Sequence, residues 1–177
     1  HLSIRRQRQM CIRDSDISGI LAMIRHLGAV VGVAEEAERL ASNYEARLAK
    51  ISAPVGKQKP KDYFEEWDTP MTSGIKWVSQ LIEIAGGQDI FSLLSEQKAA
   101  KDRFVYSEQV IAAAPDIILA SWCGKKVSPE KIAARDGWQD IPAVKLGHIY
   151  EIKSPLILQP GPAALTDGLD AICEVLS

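Results

Sequence analysis

Lys61–Gly87, KDYFEEWDTPMTSGIKWVSQLIEIAGG, decides how the rest of the chain is read. Tyr63 and Phe64 suit a strand over Asp62–Glu66, and Pro70 stops it, because proline cannot donate to a sheet ladder. Thr72 or Ser73 is placed to cap a following helix by accepting from its first free N–H groups. Ile75, Val78, Leu81, Ile82 and Ala85 then recur at helical spacing over Ser73–Ala85, and Gly86-Gly87 supplies a left-handed exit. Glu65, Glu66, Trp67 and Asp68 are thereby displayed at the carboxyl end of a strand, the place where open α/β sheets bind ligands.

Similar handovers recur downstream. Asp116–Ser121, with the apolar run Ile117-Ile118-Leu119-Ala120, reads as a buried parallel strand that ends in Trp122-Cys123-Gly124-Lys125-Lys126. Gly147–Ile152 reads as a third strand, ending in Lys153–Pro160. Just ahead of Asp116, Ser107 is expected to cap a short helix that Pro115 ends, and between the second and third strands Ser128-Pro129 is expected to open another. Asp89–Leu94 suggests a single helical turn and Ser95–Arg103 a polar loop, while Gly161-Pro162 starts a last helix with the stripe Leu165, Leu169, Ile172, Cys173 and Leu176. Strands alternating with helices imply an α/β fold, a mainly parallel sheet flanked by helices.

Upstream, Ile17, Ile20, Leu21, Ile24 and Leu27 share one helical face within Asp16–Gly32. Val33–Ile51 carries Ala37, Leu40, Ala41, Tyr44, Leu48 and Ile51 as a stripe, with charges over the rest. At 1.5 Å per residue it would span roughly 28 Å, long enough to bridge two small lobes, though periodicity alone favours a helix lying on its own domain. Ala53–Pro60 is a Pro, Gly and Lys linker. The chain therefore divides into a helical segment over 16–52 and an α/β unit over 53–177. His1–Ser15, HLSIRRQRQMCIRDS, has no apolar core for a signal peptide. Its Met10–Ser15 resembles a translated sequencing adapter, so we expect this start to be non-native, joined to a truncated reading frame.

Composition excludes several classes. At 177 residues, 46% hydrophobic and 25% charged, the chain can bury one good core. A net charge of −2 gives no electrostatic reason to expect nucleic acid as partner. No apolar run approaches the ~20 residues of a transmembrane helix. Three cysteines, Cys11, Cys123 and Cys173, with no CxxC, speak against a disulfide framework or a cysteine metal knuckle.

The candidate site is the edge where the three post-strand loops converge. Trp67 and Trp122 offer flat apolar area suited to a large planar ligand, with Glu66 and Gln159 as polar contacts beside them. Trp77 and Trp138 read as packing. Glu65 and Glu66 point to opposite faces of a strand, so a paired acid/base mechanism is not expected. His26 is helical and His148 opens a strand, which leaves no histidine in a convergent loop and no metal set. Cys123 reads as a small semi-buried residue, since His148, the one base in question, lies at the far end of its own strand. Neither Gly86-Gly87 nor Gly161 belongs to a phosphate-binding pattern.

The strand–TSG–helix unit ending in Ala85-Gly86-Gly87, the block YSEQVIAAAPDIILAS, the final ILQPGP and the long helix ahead of them occur in an order that resembles the class III substrate-binding proteins of ABC importers. The resemblance implies the interlobe backbone helix and C-terminal lobe of an extracytoplasmic receptor, monomeric, not an enzyme and without a cofactor. It would carry cobalamin, or alternatively a ferric siderophore or haem, to a membrane permease. It also implies that Glu108 docks on arginines of that permease, although a first-turn Glu favours the helix dipole in any case. The aromatic residue that stacks on cobalamin in a relative falls near Asp102, and its late charged pair falls within Pro155–Gln159 and has no counterpart. From other classes, a chelatase- or nitrogenase-like enzyme would use Glu65 or Cys123, and a flavodoxin-like interaction module would fold Val33–Ile51 onto its sheet.

Overall fold

A computed structural model describes residues 16–51 and 59–176. The expected non-native start over 1–15, and most of the Ala53–Pro60 linker, lie outside the described residues. Helix α1 (Ile17–Val30) begins at Asp16, whose carboxylate accepts from the Gly19 N–H at 2.8 Å. That bond satisfies one of the free donors of the first turn and holds the carboxyl below the usual carboxylate range. Val31-Gly32-Val33 turns the chain into α2 (Ala34–Ile51), which runs back along α1. Gly28 is what lets the two helices touch: a Cβ there would stand 2.1 Å from the Ala37 methyl. Arg25 ties the outer faces together through Glu38 at 2.8 Å and Glu45 at 3.0 Å.

Among the described residues, five strands form the sheet. Strand β1 (Lys61–Asp68) pairs along one edge with β2 (Met71–Ser73), antiparallel, and with β3 (Gln88–Asp89), parallel. Along its other edge it pairs with β4 (Ile117–Ala120), which pairs with β5 (Ile149–Glu151), both in parallel. The mainly parallel sheet flanked by helices is therefore as expected. Alternation along the strands assigns the two cores. Phe64, Ile117 and Leu119 face α1, α2, α3 (Lys76–Ala85) and the last helix α9 (Leu169–Leu176). Tyr63, Ile118 and Ala120 face α5 (Ser107–Ala113), α6 (Pro129–Ala133), the turn at Trp138–Asp140 and α7 (Pro142–Leu146). A short α4 (Ser92–Ser95) follows β3, and α8 (Ser154–Ile157) follows β5. Each fully buried Leu, Ile or Phe contributes roughly 1.5–3 kcal/mol, so these two layers carry the stability.

Some local expectations need correction. β1 does not stop at Glu66: it runs to Asp68, turns through Thr69-Pro70 and returns as β2, with a bulge at Glu66. Thr72 and Ser73 are consequently in the sheet. Their hydroxyls donate to the Pro70 carbonyl (3.0 Å) and the Arg103 carbonyl (3.1 Å), and α3 opens at Ile75 without a side-chain cap. Gly86 does end α3 in the left-handed conformation (φ 102°). Asp89 begins no helix but belongs to β3. Ser107 is not a cap either; it takes the Trp138 indole N–H at 2.6 Å, and the Gln109 side chain instead accepts from the Tyr106 N–H at 2.8 Å. Ser128 caps α6 as expected. Helix α2 does not stand clear of the fold: Ala41 and Leu48 are buried in the first core, and Arg47 pairs with Asp170 of α9.

Candidate functional site

Parallel pairing of β1, β4 and β5 brings their carboxyl ends to one edge of the sheet. A depression of about 340 Å³ lies there, lined by Glu66, Trp67, Pro70, Thr72, Ala100, Phe104, Cys123 and Leu158. Residues from all three post-strand loops thus meet in one place, and the lining is mostly apolar. Ala100–Arg103, expected as polar loop, forms a 3-10 turn that delivers Phe104 as a half-exposed aromatic wall.

Beneath this surface the two adjacent glutamates do different work, because strand alternation sends them to opposite faces. Glu65 is fully buried and accepts two bonds from Arg135, at 2.6 and 2.9 Å, one from the Trp122 indole N–H at 3.0 Å and one from the Tyr63 hydroxyl at 3.2 Å. Burial, and then the Glu65 carboxylate, keep the Tyr63 hydroxyl protonated well above its ordinary range. Glu66 sits at the lining and is held by Arg103 at 2.6 and 3.1 Å, while the same guanidinium donates to the Ser73 carbonyl. Both arginines are charge-assisted forks that fix carboxylate orientation. Neither had a sequence signal, since the partners are 37 and 70 residues away.

Of the residues singled out in the sequence, Glu66 and Trp67 line the depression, the Trp67 indole donating to the Thr69 carbonyl at 3.0 Å. Gln159 is exposed beside the lining residue Leu158. Trp122 lies lower: it is 3% exposed, packed in the second core with its N–H on Glu65. Lys125 stands over it, 4.8 Å from the Trp122 ring centroid and 5.7 Å from that of Trp67, and pairs with Asp68. Glu108 is exposed on the first turn of α5 and is not one of the lining residues. Asp102 is exposed in the 3-10 turn next to Arg103. Trp77 and Trp138 are packing residues as expected, their indoles donating to the Ile157 carbonyl and the Ser107 hydroxyl.

The two residues of the catalytic alternative, Cys123 and Glu65, are placed as follows. Cys123 is exposed, not semi-buried, in a tight turn that Gly124 completes at φ +69°. Glu65, the other candidate, has its oxygens fully engaged. Among the described residues no three His, Cys, Asp or Glu side chains are grouped to hold a metal. Nor is any described helix long and apolar enough to cross a membrane.

Comparison with known proteins agrees with this architecture. The model of a periplasmic binding protein family matches residues 9–156. A vitamin B12-binding protein from Vibrio campbellii is 25% identical over 166 residues, 89% of this chain and 56% of the relative. A periplasmic binding protein from Veillonella parvula superposes with a TM-score of 0.75 at 25% identity, over 91% of this chain and 57% of that one. The apo form of the periplasmic heme-binding protein RhuT from Roseiflexus gives a TM-score of 0.71 at 23% identity, over 92% and 65%. The chain spans little more than half the length of the curated relative it matches.

Proposed function

This chain belongs to the periplasmic binding protein family, in the class with cobalamin-, siderophore- and haem-binding members, and from that premise we propose that it is the backbone helices and second lobe of an extracytoplasmic solute receptor. The receptor captures a large metal chelate, a corrinoid such as cobalamin or else a ferric siderophore or haem, and passes it to an ABC permease without making or breaking bonds. The observation that carries this reading is the single-sided, mainly apolar depression where three post-strand loops converge. One wall of a cleft is what such a surface offers, and a second lobe would supply the other. Trp67 provides a ring face, Glu66 and Gln159 polar contacts at the rim, and Trp122 the buried support under Lys125.

The division into a helical segment over 16–52 and an α/β lobe over 53–177 belongs to the same proposal. Leu27, Val30, Val31, Val33 and Leu40 are all exposed around the tip of the α1–α2 hairpin. Such a patch is the surface on which the unmatched part of the relatives would rest. Glu108 is proposed as the permease contact, since it is exposed, acidic and free of any role in the depression. The receptor works as a monomer with no cofactor of its own.

The test is a titration of a two-lobed form with cobalamin, a ferric siderophore and haem. Saturable binding of one of them, weakened by Trp67→Ala, supports the reading; turnover of any of them would sink it.

A further inference from the structure

Arg103 joins two separate segments of the depression's lining. It closes the 3-10 turn Ala100–Arg103, and the lining residues Ala100 and Phe104 stand at the start of that turn and just past its end. The β1–β2 hairpin contributes Glu66, Trp67, Pro70 and Thr72. From the turn, Arg103 donates to both oxygens of Glu66, at 2.6 and 3.1 Å, and to the Ser73 carbonyl. Main-chain ties reinforce the junction. The Ser73 hydroxyl donates to the Arg103 carbonyl at 3.1 Å, the Val105 N–H to the Met71 carbonyl at 3.0 Å, and a β-bridge joins Phe104 to Thr72.

The Arg103 side chain is 2% exposed and that of Glu66 is 22% exposed. The cation is therefore out of a ligand's reach, while the carboxylate it holds remains at the surface of the depression. Its Nε is buried without a hydrogen-bond partner. For stability alone this is a poor arrangement, since apolar residues of similar volume often match such a buried pair. What the guanidinium supplies is direction. Its planar fork sets both carboxylate oxygens at once, which a lysine ammonium cannot do, and the same fork ties the 3-10 turn to the hairpin. Side chains already fixed in this way need not be ordered by a ligand, so binding loses less free energy to immobilisation.

From these ties we infer that Arg103 is a positioning residue of the cleft. It touches no ligand itself; it fixes Glu66 and, through Glu66, the setting of Ala100 and Phe104 against the β1–β2 hairpin. The inference rests on the receptor reading above and deepens it.

The test is a double-mutant cycle on the two-lobed form, titrated with cobalamin, ferrichrome and haemin, with urea unfolding followed in parallel. Arg103→Met should weaken binding of whichever chelate the wild type takes up by about tenfold, the loss typical of one hydrogen bond to a charged group. On a Glu66→Ala background the same change should cost no further affinity, because the link through which Arg103 acts is already gone. The double variant should nevertheless unfold at higher urea than Glu66→Ala alone, since it no longer buries an unpaired guanidinium. Ser107→Ala, destabilising but outside the lining, should keep wild-type affinity and so separates positioning from stability. Should Arg103→Met not fold, Arg103→Lys, which keeps the charge but not the fork, carries the same expectation. Wild-type affinity in the Arg103 variant, an equal loss on both backgrounds, or a parallel loss in Ser107→Ala overturns the positioning role and leaves the receptor reading standing. If the folded wild type binds none of the three chelates, both fail together.

Discussion

Glu65 and Arg135, seventy residues apart in the chain, form a two-pronged ion pair at 2.6 and 2.9 Å under the floor of the depression. The carboxylate is fully buried, and it also anchors Trp122 and Tyr63. Removing one partner leaves the other charge buried and alone. Arg135→Ala should therefore cost about 3–5 kcal/mol in urea unfolding, whereas replacing both partners with apolar residues of similar volume should cost much less. An Arg135→Ala loss below 1 kcal/mol would show that solvent reaches Glu65.

Asp62 gives the fold a pH dependence. Its carboxyl is fully buried at the start of β1, and both its oxygens lack a hydrogen-bond partner. Burial, with smaller contributions from the Asp89 and Asp116 carboxylates, pushes it up to about 7, and the nearby Gln88 N–H offsets only part of this. The folded value lies above the unfolded one of 3.8, so the protonated form is the one that folding favours. Stability attributable to Asp62 is full below about pH 4 and is lost as pH rises toward 7, a change on the order of a few kcal/mol. Denaturant midpoints should thus be higher at pH 5 than at pH 8. Asp62→Asn should raise the pH 8 midpoint and flatten the dependence, leaving a residue from Asp89, which burial shifts the same way.

The α1–α2 hairpin depends on the close approach at Gly28. Gly28→Val should force the helices apart and lower stability by roughly 1–3 kcal/mol, as overpacking does. Gly161→Ala, where an added methyl meets nothing within 4 Å, is the matched control and should leave the thermal midpoint in place.

Glu108 and its neighbour Ser107 separate recognition from folding. Ser107→Ala removes the acceptor of the buried Trp138 indole and should cost about 1–3 kcal/mol. Glu108→Ala removes only an exposed first-turn acid, worth about 0.3–1 kcal/mol. If Glu108 docks on the permease, its loss should instead abolish stimulation of transporter ATPase by the loaded receptor.

Much of this was readable from the chain because it depends on local pattern. The apolar run Ile117–Ala120 is buried on both faces as a parallel strand must be, and Leu81 and Ile82 recur at the spacing that packs α3 on the sheet. The convergence of three loops followed from parallel pairing alone. What escaped depends on distant partners or on very short elements. Three residues, Met71–Ser73, carry too little periodicity to announce a strand, so their polar pair read as helix caps. Ser107 looked like a cap because its tie to Trp138 lies 31 residues away. Trp122 read as a cleft surface, and only the position of Glu65 beneath it explains why its N–H points inward. Phe104 carried no signal beyond being an aromatic at the end of a polar stretch.

The most direct measurement is the titration of the two-lobed form with cobalamin, a ferric siderophore and haem, following Trp fluorescence and repeated with Trp67→Ala. The account predicts saturable binding of one chelate, weakened by the substitution in a protein whose thermal unfolding is unchanged. Failure of a properly folded protein to bind any of the three would contradict it.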